Sequence, residues 1–215
     1  MKTSHGLTLI ELMVTLAVFA IITALAFPGF RLYQQNSNRV SQINDLVAVF
    51  NMTRSEAVKR NLAVTVCAST DQATCSNANN WTTGWIVFID DNENGAVDAT
   101  DGNGTFDAGA GELILILSHG ALSGANLVYT DIANGTVAVR FNAQGTPTVF
   151  NAAAVFNTNA VFMRCDNRAA TQPVPLRNNH ARGIILTASG RTRLSRDSNN
   201  NGVQENDNNV DFVCP

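Results

Sequence analysis

Gly6-Leu7-Thr8-Leu9-Ile10-Glu11-Leu12-Met13-Val14 opens the stretch that decides the fold: 21 residues, Leu7 to Phe27, holding a single charge, Glu11. At 1.5 Å per residue, about twenty such residues span the hydrocarbon core of a bilayer. A polar leader, Met1-Lys2-Thr3-Ser4-His5-Gly6, precedes them. The competing interpretation is a secretory signal, since Lys2 gives a positive start and Ala24-Leu25-Ala26 imitates a small-x-small cleavage site. Against it, the apolar run is longer than such a signal's core, and a carboxylate inside it costs about 3 kcal/mol if left unpaired in lipid. The span contains no Lys, Arg or His to pair with it. A cut after Gly6 would free an amino group on Leu7, one helical turn from Glu11, able to neutralise it within the chain or from a neighbouring copy.

Working outward, apolar residues follow Pro28 and Gly29 at Leu32, Val40, Ile43, Leu46, Val47, Phe50, Ala57 and Val58, mostly at the three- and four-residue spacing of one helix face, which predicts a helix to about Arg60. Beyond Asn61 come short runs rich in Val, Ile, Phe and Thr: Leu62–Cys67, Trp85–Ile89, Leu113–Leu117, Leu127–Tyr129, Val137–Phe141, Val161–Met163 and Gly183–Thr187. Gly, Asn and Asp punctuate them as turns between strands require. The expected fold class is α+β: a long N-terminal helix, transmembrane in its first half and amphipathic in its second, packed on an antiparallel β-sheet. The expected organisation is a leader at 1–6, a transmembrane half-helix at 7–28 and a globular domain at 29–215.

The whole chain has 215 residues, 45% hydrophobic and 14% charged, which allows one folded body with an appendage and excludes a disordered protein. The formal charge of −3 hides a separation. Between Asn61 and Val139 there are nine acids and no Lys or Arg. From Arg164 to Arg196, seven arginines face the single acid Asp166; the following tail, with Asp197, Glu205, Asp207 and Asp211, is acidic again.

The segment from Gly6 to Val14 resembles the class III leader of type IV pilins and pseudopilins, a highly specific motif in which Phe usually stands where this chain has Leu7. The resemblance implies that a prepilin peptidase cuts after Gly6 and methylates the new N-terminus of Leu7. It also implies that Glu11 docks the subunit during filament assembly, and it places Pro28 where pilins carry their first helix-kinking proline. Gly84-Trp85-Ile86-Val87-Phe88-Ile89-Asp90-Asp91-Asn92-Glu93-Asn94-Gly95 is similar to the strand and acidic turn of the GspH/FimT branch of minor pilins, with Ala96–Gly111 longer than the branch norm. By this resemblance the protein is a single-pass bacterial inner-membrane prepilin with its body in the periplasm, later part of a pilus or pseudopilus. Its partners would be other pilin or pseudopilin subunits, the inner-membrane assembly platform and the prepilin peptidase.

Four cysteines, Cys67, Cys75, Cys165 and Cys214, favour two disulfides in a chain whose body lies outside the cytoplasm. Of three pairings, Cys67–Cys75 and Cys165–Cys214 are expected, the first closing a short loop and the second tying down the last residues. A four-cysteine zinc site is disfavoured because no C-x-x-C pair is present. Asp90-x-Asn92-x-Asn94-Gly95 with Asp101 has the spacing of a calcium loop, and Asp197-x-Asn199-x-Asn201-Gly202 is a poorer copy. The same residues make metal-free tight turns, so calcium is the one candidate cofactor.

No nucleophile, base and acid assemble in the sequence: His119 and His180 stand alone, and His5 leaves with the leader, so a non-enzymatic role is expected. The best binding candidate is Ser189-Gly190-Arg191-Thr192-Arg193-Leu194-Ser195-Arg196. In an extended chain Arg191 and Arg193 share a side about 7 Å apart, suited to successive backbone phosphates. Gly190-Arg191-x-Arg193 also resembles a C-terminal motif of FimT-like minor pilins that bind DNA during natural transformation. Arg196, Arg177 and Arg182, within the basic segment 177–196, are auxiliary candidates through counterion release. The alternatives are a type II secretion pseudopilin that does not bind nucleic acid, and a secreted calcium-dependent adhesin released after Ala26.

Overall fold

The fold is that of a computed structural model, which describes residues 8–76, 78–89, 115–122, 126–130, 135–151, 155–156, 159–166, 181–206 and 208–212. Its first element is α1, Leu9–Arg60, 52 residues long. Thr8 caps it: the Thr8 N–H and hydroxyl each donate to Glu11 Oε2 at 2.9 Å, and the Glu11 N–H points back to Thr8 Oγ1 at 3.3 Å. This is a reciprocal capping box built from the Thr-x-x-Glu pattern. Pro28 and Gly29 lie inside α1. The helix ends where Asn61 turns left-handed at φ 56° and the Leu62 N–H returns to the Ala57 carbonyl at 3.3 Å, satisfying one of the orphan carbonyls of the last turn.

The chain divides into two units, Met1–Ser41 and Gln42–Pro215. In the first, Leu9–Phe27 is a 19-residue stretch of mean hydropathy 2.5 with none of it buried. Its two interior threonines return their hydroxyls to the helix, Thr15 to the Leu12 carbonyl and Thr23 to the Phe19 carbonyl, both at 2.9 Å. An apolar surround therefore meets few free polar groups on this segment.

In the second unit, the described residues form ten strands in two antiparallel sheets. Their ranges are β1 Val64–Ala68, β2 Trp85–Ile89, β3 Leu115–His119, β4 Asn126–Thr130, β5 Thr136–Phe141, β6 Pro147–Asn151, β7 Val155–Phe156, β8 Ala160–Asp166, β9 Arg182–Leu186 and β10 Thr192–Leu194. One sheet has the order β3-β2-β1-β5-β6-β7 and the other β10-β9-β8-β4. Ile43, Leu46, Val49, Phe50 and Ala57 form a buried stripe of α1, and they cluster with Val64, Val66, Trp85, Val87, Val139 and Phe141 of the first sheet and Phe162, Ile184 and Leu186 of the second. A 3-10 turn, Trp81–Thr83, inserts Trp81 edge-on to Phe162 at 5.1 Å, with its indole N–H bonded to the Thr136 carbonyl at 2.9 Å. A buried indole N–H usually finds such a partner.

Both sheets carry apolar residues on the opposite face too. Cys67, Ile86, Phe88, Val137, Ala138 and Phe150 cluster on the first, and Val161, Met163, Cys165, Ala181, Ile185 and Phe212 on the second. Val137 and Ala138 share one face because the β5–β6 register shifts between Thr136 and Ala138.

The expected helix end at Arg60 and the α+β class are present, with three corrections. The single expected sheet is two, and β6, β7 and β10 lie outside the expected strands. Pro147 obscures β6, yet it is the first strand residue, where the missing N–H does least harm. On α1, Val40 and Val58 are exposed while Val49 is buried.

Candidate functional site

The exposed arginines sit on a hairpin whose turn is fixed by its own residues. β9 and β10 pair antiparallel, with Thr192 opposite Leu186 and Arg193 opposite Ile185. Between them, the Gly190 N–H donates to the Thr187 carbonyl at 2.8 Å and the Thr187 N–H to the Arg191 carbonyl at 2.9 Å. Gly190 has φ +77°, the left-handed residue that closes such a five-residue turn. The Thr187 hydroxyl donates to the Arg191 carbonyl at 3.0 Å and accepts the Arg191 N–H at 3.2 Å, so the backbone of Arg191 is held at both ends.

From that base Arg191 and Arg193 are exposed, as are Arg196 and, at the start of β9, Arg182. Thr192 is half-buried, with its hydroxyl 3.5 Å from Asn51 Oδ1 of α1. Arg193 alternates to the other side, in register with the outward-facing Ile185. Among the described residues no carboxylate forms an ion pair with these arginines; the acid that is paired, Glu56, holds Lys59 and Arg60 on α1. Arg177 lies outside the described residues. Arg164 belongs to the interior: it is fully buried, with Nε–H donating to Gln42 Oε1 at 2.7 Å.

The Cys67–Cys75 disulfide is present, with Cα atoms 5.6 Å apart. Inside its loop the Asp71 carboxylate accepts the N–H groups of Ala73 and Thr74 at 2.9 and 2.7 Å and the Thr74 hydroxyl at 2.7 Å. These bonds to the charged form hold its pKa well below the usual carboxylate range. Cys165 is also disulfide-bonded, while Cys214 lies outside the described residues. So do Gly6, Leu7 and the calcium candidates Asp90, Asn92, Asn94 and Asp101.

The second calcium-like loop is described, and its oxygens serve the chain itself. Asp197 accepts the N–H groups of Asn201 and Gly202 at 3.2 and 2.8 Å, Asn199 Oδ1 accepts the Asn201 N–H at 2.9 Å, and Asn201 Oδ1 accepts the Val203 N–H at 2.8 Å. These are the side-chain-to-backbone bonds of tight turns. His119 ends β3 with its ring stacked on Trp85 at 4.2 Å, a contact its isolation in sequence does not reveal.

Residues 42–190 match the family model described as type II transport protein GspH, and residues 1–27 match that of the prokaryotic N-terminal methylation motif. No curated protein matches the chain. Among solved structures, the type IV minor pilin FimU of Pseudomonas aeruginosa is similar in two crystal forms. One has 18% identity, coverage of 76% of this chain and 91% of that chain, and a TM-score of 0.48. The other has 18% identity, 73% and 91% coverage and a TM-score of 0.45. The minor pseudopilin EpsH of the Vibrio cholerae type 2 secretion system has 9% identity, 71% and 92% coverage and a TM-score of 0.40. Arg191, Arg193 and Arg196 follow directly on the last residue of the family match.

Proposed function

The chain belongs to the GspH family of type II transport proteins, and we propose that it is a minor type IV pilin that captures duplex DNA through Arg191 and Arg193 for natural transformation, aided by Arg196, Arg182 and Arg177. The chain carries the N-terminal methylation motif ahead of a GspH body, and is a pilin or pseudopilin subunit of a type IV pilus or a type II secretion system. The prepilin is inserted in the inner membrane with its body in the periplasm. It is cut after Gly6 by the prepilin peptidase and joins other subunits at the assembly platform through Leu7 and Glu11.

The observation that carries the DNA-binding reading is the pinned backbone of Arg191 beside two exposed guanidinium groups on one short extended run. Forked cations held in this way fit consecutive phosphate oxygens and contact no base edge, so the binding is independent of sequence. Calcium in the 90–101 loop belongs to the same proposal as a weakly held ion.

The test is a binding titration of the full chain in detergent with duplex DNA at several salt concentrations. The expected log–log slope is about −2 to −3, falling by about 0.9 for each arginine removed. If Arg191→Ala with Arg193→Ala leaves affinity and slope unchanged, the second reading takes over: a secretion pseudopilin that touches proteins only, which the family's description favours.

A further inference from the structure

We propose that Arg54, on α1, is a positioning residue that clamps the Gly190–Arg191 turn through the neighbouring turn of the β5–β6 hairpin. The functional consequence rests on the DNA-binding reading above, whereas the clamp stands on geometry alone. The β5–β6 turn repeats the design of the β9–β10 turn. The Gly145 N–H donates to the Asn142 carbonyl at 2.8 Å and the Asn142 N–H to the Thr146 carbonyl at 3.1 Å, with Gly145 at φ +74°. Arg54 Nε–H donates to the Gly145 carbonyl at 3.0 Å.

The two turns belong to different sheets, yet they touch at this point. A Cβ on Gly190 would lie 2.4 Å from the Gly145 carbonyl oxygen and 3.1 Å from Arg54 Nε, and a Cβ on Gly145 would lie 2.9 Å from the same Nε. Only glycine fits at either position, first for its left-handed backbone and then for the space. The Gly145 oxygen is thus held between the guanidinium on one side and the Gly190 backbone on the other.

One helical turn earlier on α1, Asn51 meets the hydroxyl of Thr192, so positions 51 and 54 grip the hairpin on both sides of Arg191. A side chain whose backbone is fixed beforehand loses less freedom when it binds. Arginine suits position 54 because its Nε–H donates from within the stem, in a fixed plane; lysine offers only a mobile point charge at its tip.

The experiment follows amide hydrogen exchange and DNA binding in the full chain in detergent. In Arg54→Ala, exchange at Gly145, Thr187 and Gly190 should accelerate by about tenfold or more while β1 and β2 keep their protection. DNA affinity should fall by about fivefold with an unchanged salt slope, because every phosphate-contacting arginine remains. Arg54→Lys should restore neither quantity. Gly190→Ala, which keeps every charge, should lower affinity in the same way. Unchanged exchange in Arg54→Ala would overturn the clamp. So would a slope reduced by about 0.9 and rescued by lysine, which would make Arg54 a direct phosphate contact. A chain that binds no DNA overturns the functional reading alone, since the exchange rates still decide the clamp.

Discussion

Gly183 leaves room for an aromatic ring where any other residue would place a carbon. A Cβ there would meet Phe212 Cε2 at 2.5 Å, Phe212 Cζ at 2.7 Å and the Phe162 carbonyl at 2.9 Å. The ring of Phe212 therefore rests on bare backbone between Ala181 and Ile185, closing the outer cluster of the four-stranded sheet. Gly183→Ala is expected to cost about 1–3 kcal/mol by overpacking, measured by denaturant unfolding. Most of that cost should vanish in a Phe212→Ala background, which a double-mutant cycle reads as coupling. Single residues were unevenly legible in the sequence. Glu11 stands out as the one charge in an apolar run, and Thr8 three places before it completes a capping-box pattern. Arg54 gives no local signal, because its partners Gly145 and Gly190 are distant in sequence and meet it only through the fold.

Among the elements, the Cys67–Cys75 loop is fixed twice, by its disulfide and by the Asp71 carboxylate inside it. Closing so short a loop contributes about 2.5 kcal/mol on the chain-entropy model, so Cys67→Ala with Cys75→Ala should lower unfolding stability by roughly that amount. Within the loop, Asp71 is bonded in its charged form and its folded pKa lies below the unfolded value of about 3.9. Its contribution is therefore complete above about pH 4 and is lost as the pH falls through the lower folded value. Asp71→Asn should flatten the acid side of the stability–pH curve, and an unchanged curve would refute the assignment. The long helix and the strands β1, β2, β5, β8 and β9 were legible because apolar spacing and β-branched runs report burial directly. β10 offers no apolar run to read, since Arg193 stands at its centre with Arg191 just before it, and its three residues gain order from pairing with β9. The division into two sheets was illegible for a related reason: periodicity tells which face of a strand is buried, and says nothing of which strand lies beside it.

For the whole molecule, the formal charge of −3 conceals an acidic middle and an arginine-rich late segment, and the methylation motif leads a body matched to GspH. The subunit is proposed to enter a filament through its N-terminus, so Glu11→Ala should reduce its incorporation into surface or periplasmic filaments by about tenfold or more, read by immunoblot of sheared fibres. An uncompensated carboxylate in lipid costs about 3 kcal/mol, which is the energy a neighbour's amine would recover. Normal incorporation would remove the assembly role from Glu11. The meeting of two glycine turns on one guanidinium also limits how such a body can diversify. Lengthening either hairpin by a residue would lift its glycine out of the shared seat, so insertions at 142–146 and at 187–191 should be accepted together or not at all. Adaptation to new ligands would then proceed by exchanging the side chains that the turn displays, with its length left alone.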